Sequence, residues 1–167
     1  MYLQGMNYND ACAAAGYDSM SAYNVSPDEF DDNEVDRISR EVETRVYSFD
    51  EFAVLHRKVN GAFAKAGTLP YLPVASRGWD TSPRCRLDAR FPWKVAEYPY
   101  MSIVHGFSKE GFARILSDAR RQAETDSRMP GAVIVNGWNE YTEGCWLVPD
   151  ENLGDASLQA VKSVFGK

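Results

Sequence analysis

The chain alternates short apolar segments with longer segments in which apolar residues recur at helical spacing. Three of the short segments are predicted strands, at residues 17–23, 69–76 and 131–136, and a fourth candidate lies at 100–104. The segment 131–136 carries Ala, Val, Ile and Val without alternation, as is typical of a strand that helices cover on both faces. Because helical patterns separate the strands, the sequence predicts an α/β fold with parallel strands.

The chain length narrows this fold class further. A closed eight-stranded α/β barrel needs roughly 200 to 250 residues, and the chain has 167. We therefore expect a single domain over residues 1–167 that is either a small open sheet or the C-terminal portion of a (β/α)8 TIM-type barrel. The chain begins inside a helical pattern with no strand ahead of it, which favours the barrel portion.

The predicted helices carry start and stop signals. Ser48 and Glu51 form a capping box, and apolar residues continue at helical spacing from there until Gly67. An earlier helix over residues 10–15 is predicted to end at Gly16. Further helix starts are predicted at Ser108 and Asp155, and a second capping box is formed by Ser26, Pro27 and Glu29.

Charge and hydropathy exclude several classes of protein. The chain has 24 acidic and 18 basic residues, which gives a formal net charge of −6. A dedicated nucleic-acid binder normally carries a basic face, so we expect no nucleic-acid partner. The acidic run at residues 28–36 is predicted to be a solvated face. No apolar run approaches the roughly 18 to 20 residues of a membrane span.

Cysteine and histidine usage argues against metal and cofactor chemistry. Cys12, Cys85 and Cys145 are odd in number and far apart, which fits neither a disulfide framework nor a zinc ribbon. The chain has two histidines and lacks the HExxH, GxSxG, P-loop and GxGxxG motifs, so we predict no metal and no cofactor. Residues 1–9 lack a secretory signal pattern. The cellular location stays open, with a preference for the cytoplasm.

Three loops follow the predicted strands, and function in α/β proteins gathers at such loops. They lie at residues 17–24, 77–84 and 136–144, and polar and aromatic residues alternate in all three. Right-handed βα crossovers place the C-terminal ends of parallel strands together. We therefore expect the three loops to lie at one edge of the sheet.

Glu140 and Glu143 are the candidate catalytic residues. They follow a predicted buried strand and lie three residues apart, so both can point into one cavity if the backbone turns. Glycoside chemistry uses such a pair, in which one carboxylic acid protonates the departing oxygen and the other carboxylate acts as base or nucleophile. If Glu143 is the acid, it should be the more shielded of the two. The alternative is that both are ordinary exposed loop carboxylates, since Glu-x-x-Glu is a common spacing.

Candidate substrate contacts surround this pair. Asn139 can orient a carboxylate or bind a sugar hydroxyl, and Trp138 and Trp146 can stack on pyranose rings. Tyr23, at the end of the first strand, is a further candidate contact.

The second loop contributes Trp79, Asp80 and Arg84. The last two can bind sugar hydroxyls or an anionic group, because Arg offers a rigid fork of donors. The alternative is that Asp80 and Arg84 pair with each other to staple the loop, while Trp79 only caps the rim of the barrel.

Three other reactive side chains have less specific surroundings. His56 lies beside apolar residues of a predicted helix and is expected to be structural. Cys145 has no evident base nearby, so we expect packing and not nucleophilic catalysis. The role of His105, near the fourth candidate strand, stays open.

The segment around the two glutamates resembles a known family. It runs from Val135 to Gly144 with the pattern Asn-Glu, two residues, Glu-Gly, and continues to Pro149 and Asp150. It is similar to the C-terminal motif of the glycoside hydrolase family 99-like domain. That grouping includes the WbsX-type proteins of bacterial polysaccharide clusters, which are generally described as glycosyltransferases, and the endo-α-mannosidases. Residues 78–84 and 16–24 also resemble it.

This resemblance implies a (β/α)8 barrel whose C-terminal part is the present chain, with Glu140 and Glu143 matching the two catalytic glutamates. In the endo-α-mannosidases the first acts as a base on the substrate's 2-hydroxyl, giving a 1,2-anhydro sugar, and the second acts as an acid and then as a base, with no metal. Tyr141 and Thr142 stand where that branch usually has Trp-His. Substrate, linkage and the choice between hydrolysis and transfer therefore stay open.

The sequence leaves three functional hypotheses. The first is a carbohydrate-active enzyme domain, a glycoside hydrolase or glycosyltransferase acting on an oligosaccharide or polysaccharide. The second is a noncatalytic carbohydrate-binding or assembly module on a partial barrel, and the third is a small open α/β protein of unrelated function. A partial barrel leaves unpaired strand edges, so the first two predict a homodimer or a missing N-terminal half-barrel as partner.

Overall fold

In the computed structural model, the described residues are 8–25, 27, 44–66, 68–94, 97–128 and 131–166. Ser26 and Glu29 of the predicted capping box and the acidic run 28–36 lie outside them. The helices are α1 (Tyr8–Ala14), α2 (Phe49–Ala66), α3 (Lys109–Thr125) and α4 (Ala156–Phe165). The strands are β1 (Met20–Ser21), β2 (Val46–Ser48), β3 (Tyr71–Leu72), β4 (Val74–Ser76), β5 (Ile103–His105), β6 (Ile134–Asn136), β7 (Asn139–Glu140) and β8 (Cys145–Trp146). Among these residues, no helix is both long and apolar enough to cross a membrane.

The three predicted strands are parallel neighbours. β1 pairs with β3 and β4 pairs with β6, both in parallel. The carbonyl of Pro70 accepts from the Met20 N–H at 3.0 Å, and the carbonyl of Pro73 accepts from the Ile134 N–H at 2.9 Å. Because carbonyl directions alternate along a strand, β1 and β6 lie on opposite sides of a central strand formed by β3 and β4.

This order corresponds to successive βα units. Along the chain, α2 lies between β1 and the central strand, and α3 lies between the central strand and β6. The predicted mixed α/β class with parallel strands is confirmed. That the units belong to a TIM-type barrel stays a prediction. Pro73 separates β3 from β4, which is the irregularity expected where a residue lacks its N–H donor.

A second parallel pair of strands, β2 and β5, lies in the chain segments that connect the three predicted strands. β5, the fourth candidate strand, pairs with β2 and not with the central strand. No residue pattern indicated β2, because three residues are too few to show a period. The Val104 N–H also donates to the Trp79 carbonyl at 2.8 Å, which ties β5 to the loop after β4.

The third strand differs from its prediction in one respect. It was expected to be covered on both faces, but Ile134 of β6 is 40 % exposed. Val133 and Val135, on the opposite face, pack against the core formed with α3 and α4. One face of β6 is therefore covered by helices, and the other is left partly open by the described residues.

The helix starts agree with the capping signals. The Ser48 Oγ accepts from the Glu51 N–H at 3.2 Å, and the Glu51 Oε2 accepts from the Ser48 N–H at 2.8 Å, which completes the predicted box. The Ser108 Oγ accepts from the Gly111 N–H at 3.0 Å at the start of α3, and α4 begins directly after Asp155. The chemistry of capping therefore fixes where α2 and α3 leave their loops.

Two side chains of α2 bond to the backbone of β4. The Asn60 amide donates to the Val74 carbonyl at 2.8 Å and accepts from its N–H at 3.0 Å. His56 Nε2 accepts from the Ser76 N–H at 3.0 Å, and its Nδ1 lies 3.0 Å from the Phe52 carbonyl. His56 is therefore a neutral structural residue, as expected. Its burial lowers its pKa to about 4.

The neutral His56 predicts a pH-dependent stability. Between pH 6.5 and about 4 the unfolded chain binds a proton at His56 that the folded chain does not. The stabilisation from this group is fully present above pH 6.5 and falls by about 3 kcal/mol as the pH drops to about 4.

Urea denaturation of the wild type and of His56→Gln across this range measures the effect. Because the carboxylates titrate in both proteins, the difference between the two free energies of unfolding isolates the contribution of His56. We expect the difference between the two free energies of unfolding to shrink as the pH falls. Parallel curves would contradict a neutral His56 in the folded state.

Candidate functional site

The loops after β4 and β6 meet through their backbones. The Asp80 N–H donates to the Glu143 carbonyl at 2.7 Å. Gly144 has φ +71°, and a Cβ there would lie 2.5 Å from the Asp80 nitrogen. A Cβ on Gly78 would lie 2.7 Å from the Gly144 carbonyl oxygen. Both glycines are therefore required for the close approach of the two loops.

The two candidate glutamates lie on a short hairpin. β7 and β8 pair antiparallel, with Glu140 opposite Cys145, and a 3-10 turn over Tyr141–Glu143 connects them. The Glu143 side chain is 8 % exposed and the Glu140 side chain 41 % exposed. Glu143 is thus the more shielded of the pair, in agreement with the expectation for an acid.

Arg84 binds both carboxylates. Its Nη1 donates to the Glu143 Oε1 at 2.7 Å and its Nη2 donates to the Glu140 Oε2 at 3.2 Å. Its Nε donates to the Thr142 Oγ1 at 2.7 Å. The three nitrogens of one guanidinium thus hold three residues of the hairpin.

The alternative that Arg84 staples its own loop through Asp80 is wrong. The Asp80 Oδ1 instead accepts from the Ser82 N–H at 2.9 Å, and Arg84 reaches across to the glutamates. The reason is geometric: the 3-10 turn over Ser82–Arg84 follows Asp80, and the carboxylate of Asp80 accepts from the first N–H of that turn.

Tyr98 is a member of this cluster that no sequence pattern identified. Its hydroxyl donates to the Glu143 Oε1 at 3.1 Å and accepts from the Arg84 Nη1. The other oxygen, Glu143 Oε2, is buried and has no hydrogen-bond partner among the described residues. Tyr98 lies in a long loop without a motif, so only its tertiary position reveals it.

The first loop reaches the same edge of the sheet. The Asn24 Oδ1 accepts from the Ser76 Oγ, and the Asn136 Nδ2 donates to the Tyr23 carbonyl at 2.9 Å. Partial burial and the charges of Glu143 and Glu140 raise the pKa of Tyr23. The prediction that all three loops lie at one edge is therefore confirmed.

The three tryptophans near the carboxylates differ in accessibility. Trp138 is 61 % exposed. Trp146 is half-buried, has the Arg77 guanidinium 3.7 Å from its ring centre, and donates from its indole N–H to the Asp150 Oδ2 at 2.7 Å. Trp79 is buried in the core, so its ring presents no face for stacking in this structure. Asn139 is exposed on β7.

The thiol in this hairpin is packed in the interior. Cys145 is fully buried, and burial together with the charges of Glu143 and Glu140 raises its pKa to about 12. The three cysteines are free. In the part of the chain that the structure describes, no group of three or more His, Cys, Asp or Glu side chains is arranged to hold a metal.

A separate groove lies outside this cluster. It is lined by residues of β2, the first turn of α2, the end of β5 with the segment after it, and α3. It includes none of the candidate site residues. Its polar lining residues include Ser48, Asp50, Glu51, His105 and Arg114. His105 thus belongs to a different surface from the glutamates.

Comparison with known proteins identifies relatives. The family model described as "Glycosyltransferase WbsX" matches residues 5–161. The "Uncharacterized protein WxcX" of two strains of Xanthomonas campestris pv. campestris is 30 % identical over 93 residues, or 56 % of this chain. The matched stretch is 12 % of those relatives, so the chain spans only a small part of their length. No solved structure matches.

The close contact of the two loops predicts a strong effect of Gly144→Ala. The substitution adds a clash with Asp80 to the strain of a positive φ, so we expect it to lower the free energy of unfolding by at least about 2 kcal/mol. Gly154→Ala is the matched control, because Gly154 also has a positive φ but a Cβ there would meet no atom within 4 Å. That variant should lose only about 1 kcal/mol. Equal losses in urea denaturation would contradict the loop contact.

Proposed function

This chain belongs to the WbsX glycosyltransferase family, and from that premise we propose that it carries the carboxylate pair of a carbohydrate-active enzyme. The reaction is the hydrolysis or transfer of a glycosidic linkage. The observation that carries this proposal is the binding of Glu140 and Glu143 to one guanidinium, at the edge where the strands end. Carboxyl groups that share one guanidinium lie close together, as glycosidases require with spacings of roughly 5 to 9.5 Å.

The unequal shielding of the pair suggests their roles. Glu143 is buried and would serve as the acid that protonates the departing glycosidic oxygen, while the exposed Glu140 would act as the base or nucleophile.

Aromatic side chains around the pair support a sugar substrate. Trp138, Tyr23 and Tyr141 are each at least half exposed, and aromatic rings with one open face suit the apolar side of a pyranose ring. Asn139 and Asp80 would bind sugar hydroxyls, and Trp146 would form a half-buried wall. The substrate we propose is an oligosaccharide or polysaccharide, bound without a cofactor.

The rest of the site would come from further strands. Ile134 on the open face of β6 points away from the helices, as an inward residue of a barrel would. We propose that these βα units are the C-terminal portion of a (β/α)8 barrel. Either an N-terminal half-barrel or a second copy of the chain would cover this face.

Substitution of each glutamate tests the assigned roles in the full-length gene product. Glu143→Gln should lower kcat on unactivated disaccharides by about 10² to 10⁴-fold, and much less on 4-nitrophenyl glycosides, whose leaving group needs little protonation. Glu140→Gln should lower kcat on both kinds of substrate. A panel of 4-nitrophenyl glycosides and the corresponding disaccharides provides the assay.

Glu151→Gln is the control, since Glu151 is an exposed carboxylate outside the cluster. It should retain wild-type kcat. Full activity of both glutamate variants, or glycan binding without turnover by the wild type, would contradict a catalytic pair. The second result would favour a noncatalytic carbohydrate-binding module.

A further inference from the structure

We infer that Tyr98 is a positioning residue that holds the carboxyl group of Glu143 in its working orientation. The inference rests on the proposed function of Glu143 as the acid. It assigns a role to a residue outside the Glu-x-x-Glu segment and outside the loop that carries Arg84.

The contacts of the tyrosine hydroxyl support this role. It donates to the Glu143 Oε1 at 3.1 Å, and the Arg84 Nη1 donates to the same oxygen at 2.7 Å. The hydroxyl in turn accepts from Arg84. Tyr98 thus uses both its donor and its acceptor capacity within the carboxylate cluster.

The two oxygens of Glu143 are consequently unequal. Oε1 accepts from two donors, whereas Oε2 has no partner among the described residues although it is buried. A buried carboxylate oxygen without a hydrogen bond is costly, so Oε2 is the oxygen left for a proton or a substrate group. By holding Oε1, Tyr98 fixes the direction in which Oε2 points.

The backbone next to Tyr98 is itself fixed. The buried Thr81 donates from its hydroxyl to the Pro99 carbonyl at 2.6 Å, and the Met101 N–H donates to the same carbonyl at 3.0 Å. Thr81 lies in the loop that leads to Arg84. The residues that position Glu143 therefore come from one connected unit, while the Tyr98 ring remains 52 % exposed.

Tyr98→Phe removes the hydroxyl and keeps the ring, so it tests this inference directly. The variant loses a hydrogen bond to a charged group, and the free energy of such a bond corresponds to about a tenfold change in rate. We therefore expect kcat on an unactivated disaccharide to fall about tenfold. KM should stay within about twofold, and kcat on the 4-nitrophenyl glycoside should fall less than about threefold, since a misoriented acid matters little there. Because the ring is retained, we expect the variant to fold, with a circular dichroism spectrum like that of the wild type.

Tyr100→Phe is the matched control in the same loop, because the ring of Tyr100 packs on Trp93 at a centroid distance of 5.7 Å, away from the glutamates. It should keep wild-type kcat on both substrates. Equal losses on both substrates for Tyr98→Phe, or behaviour identical to Tyr100→Phe, would overturn the inference.

Glu143→Gln measured beside these variants separates the two proposals. If that variant is impaired while Tyr98→Phe is not, the role of Tyr98 is wrong and the role of Glu143 stands. If Glu143→Gln is fully active, the proposed acid is wrong and the inference about Tyr98 is overturned with it.

Discussion

The backbone contact between Asp80 and Glu143 is the constraint on which the site depends. It brings the loops after β4 and β6 to 2.7 Å of each other, and glycine at 78 and 144 makes that distance possible. At this separation Arg84 reaches Glu143 and Glu140 together. The backbone contact thus places one guanidinium between two carboxylates. The carboxylate of Glu143 is shielded from solvent, and that of Glu140 is partly open to it.

The residue patterns predicted the elements that depend on local chemistry. The capping signals located the starts of α2 and α3, because caps are determined by neighbours in sequence. Asp155 directly precedes α4, as predicted, but makes no side-chain capping bond there. Apolar segments located the three parallel strands. The edge at which the loops gather followed from the handedness of βα units. The glutamate pair was identifiable because it follows a strand directly.

The remaining features depend on contacts between residues distant in sequence. Arg84 pairs with residues 56 and 59 positions away in place of the nearby Asp80, and Tyr98 reaches Glu143 from 45 positions away. Trp79 was a plausible platform by sequence, but the packing of α3 and α4 places its ring in the core. No spacing rule distinguishes an exposed loop tryptophan such as Trp138 from a buried one.

A crystal structure of the full-length Glu143→Gln protein with a bound oligosaccharide would show whether the carboxylate cluster is the site of glycan chemistry, because the variant should bind the glycan without turning it over. We expect a sugar ring stacked on Trp138 and a glycosidic oxygen within hydrogen-bond distance of residue 143. A glycan seated only in the separate groove beside β2 and α2, with the carboxylate cluster empty, would contradict a catalytic role for the two glutamates.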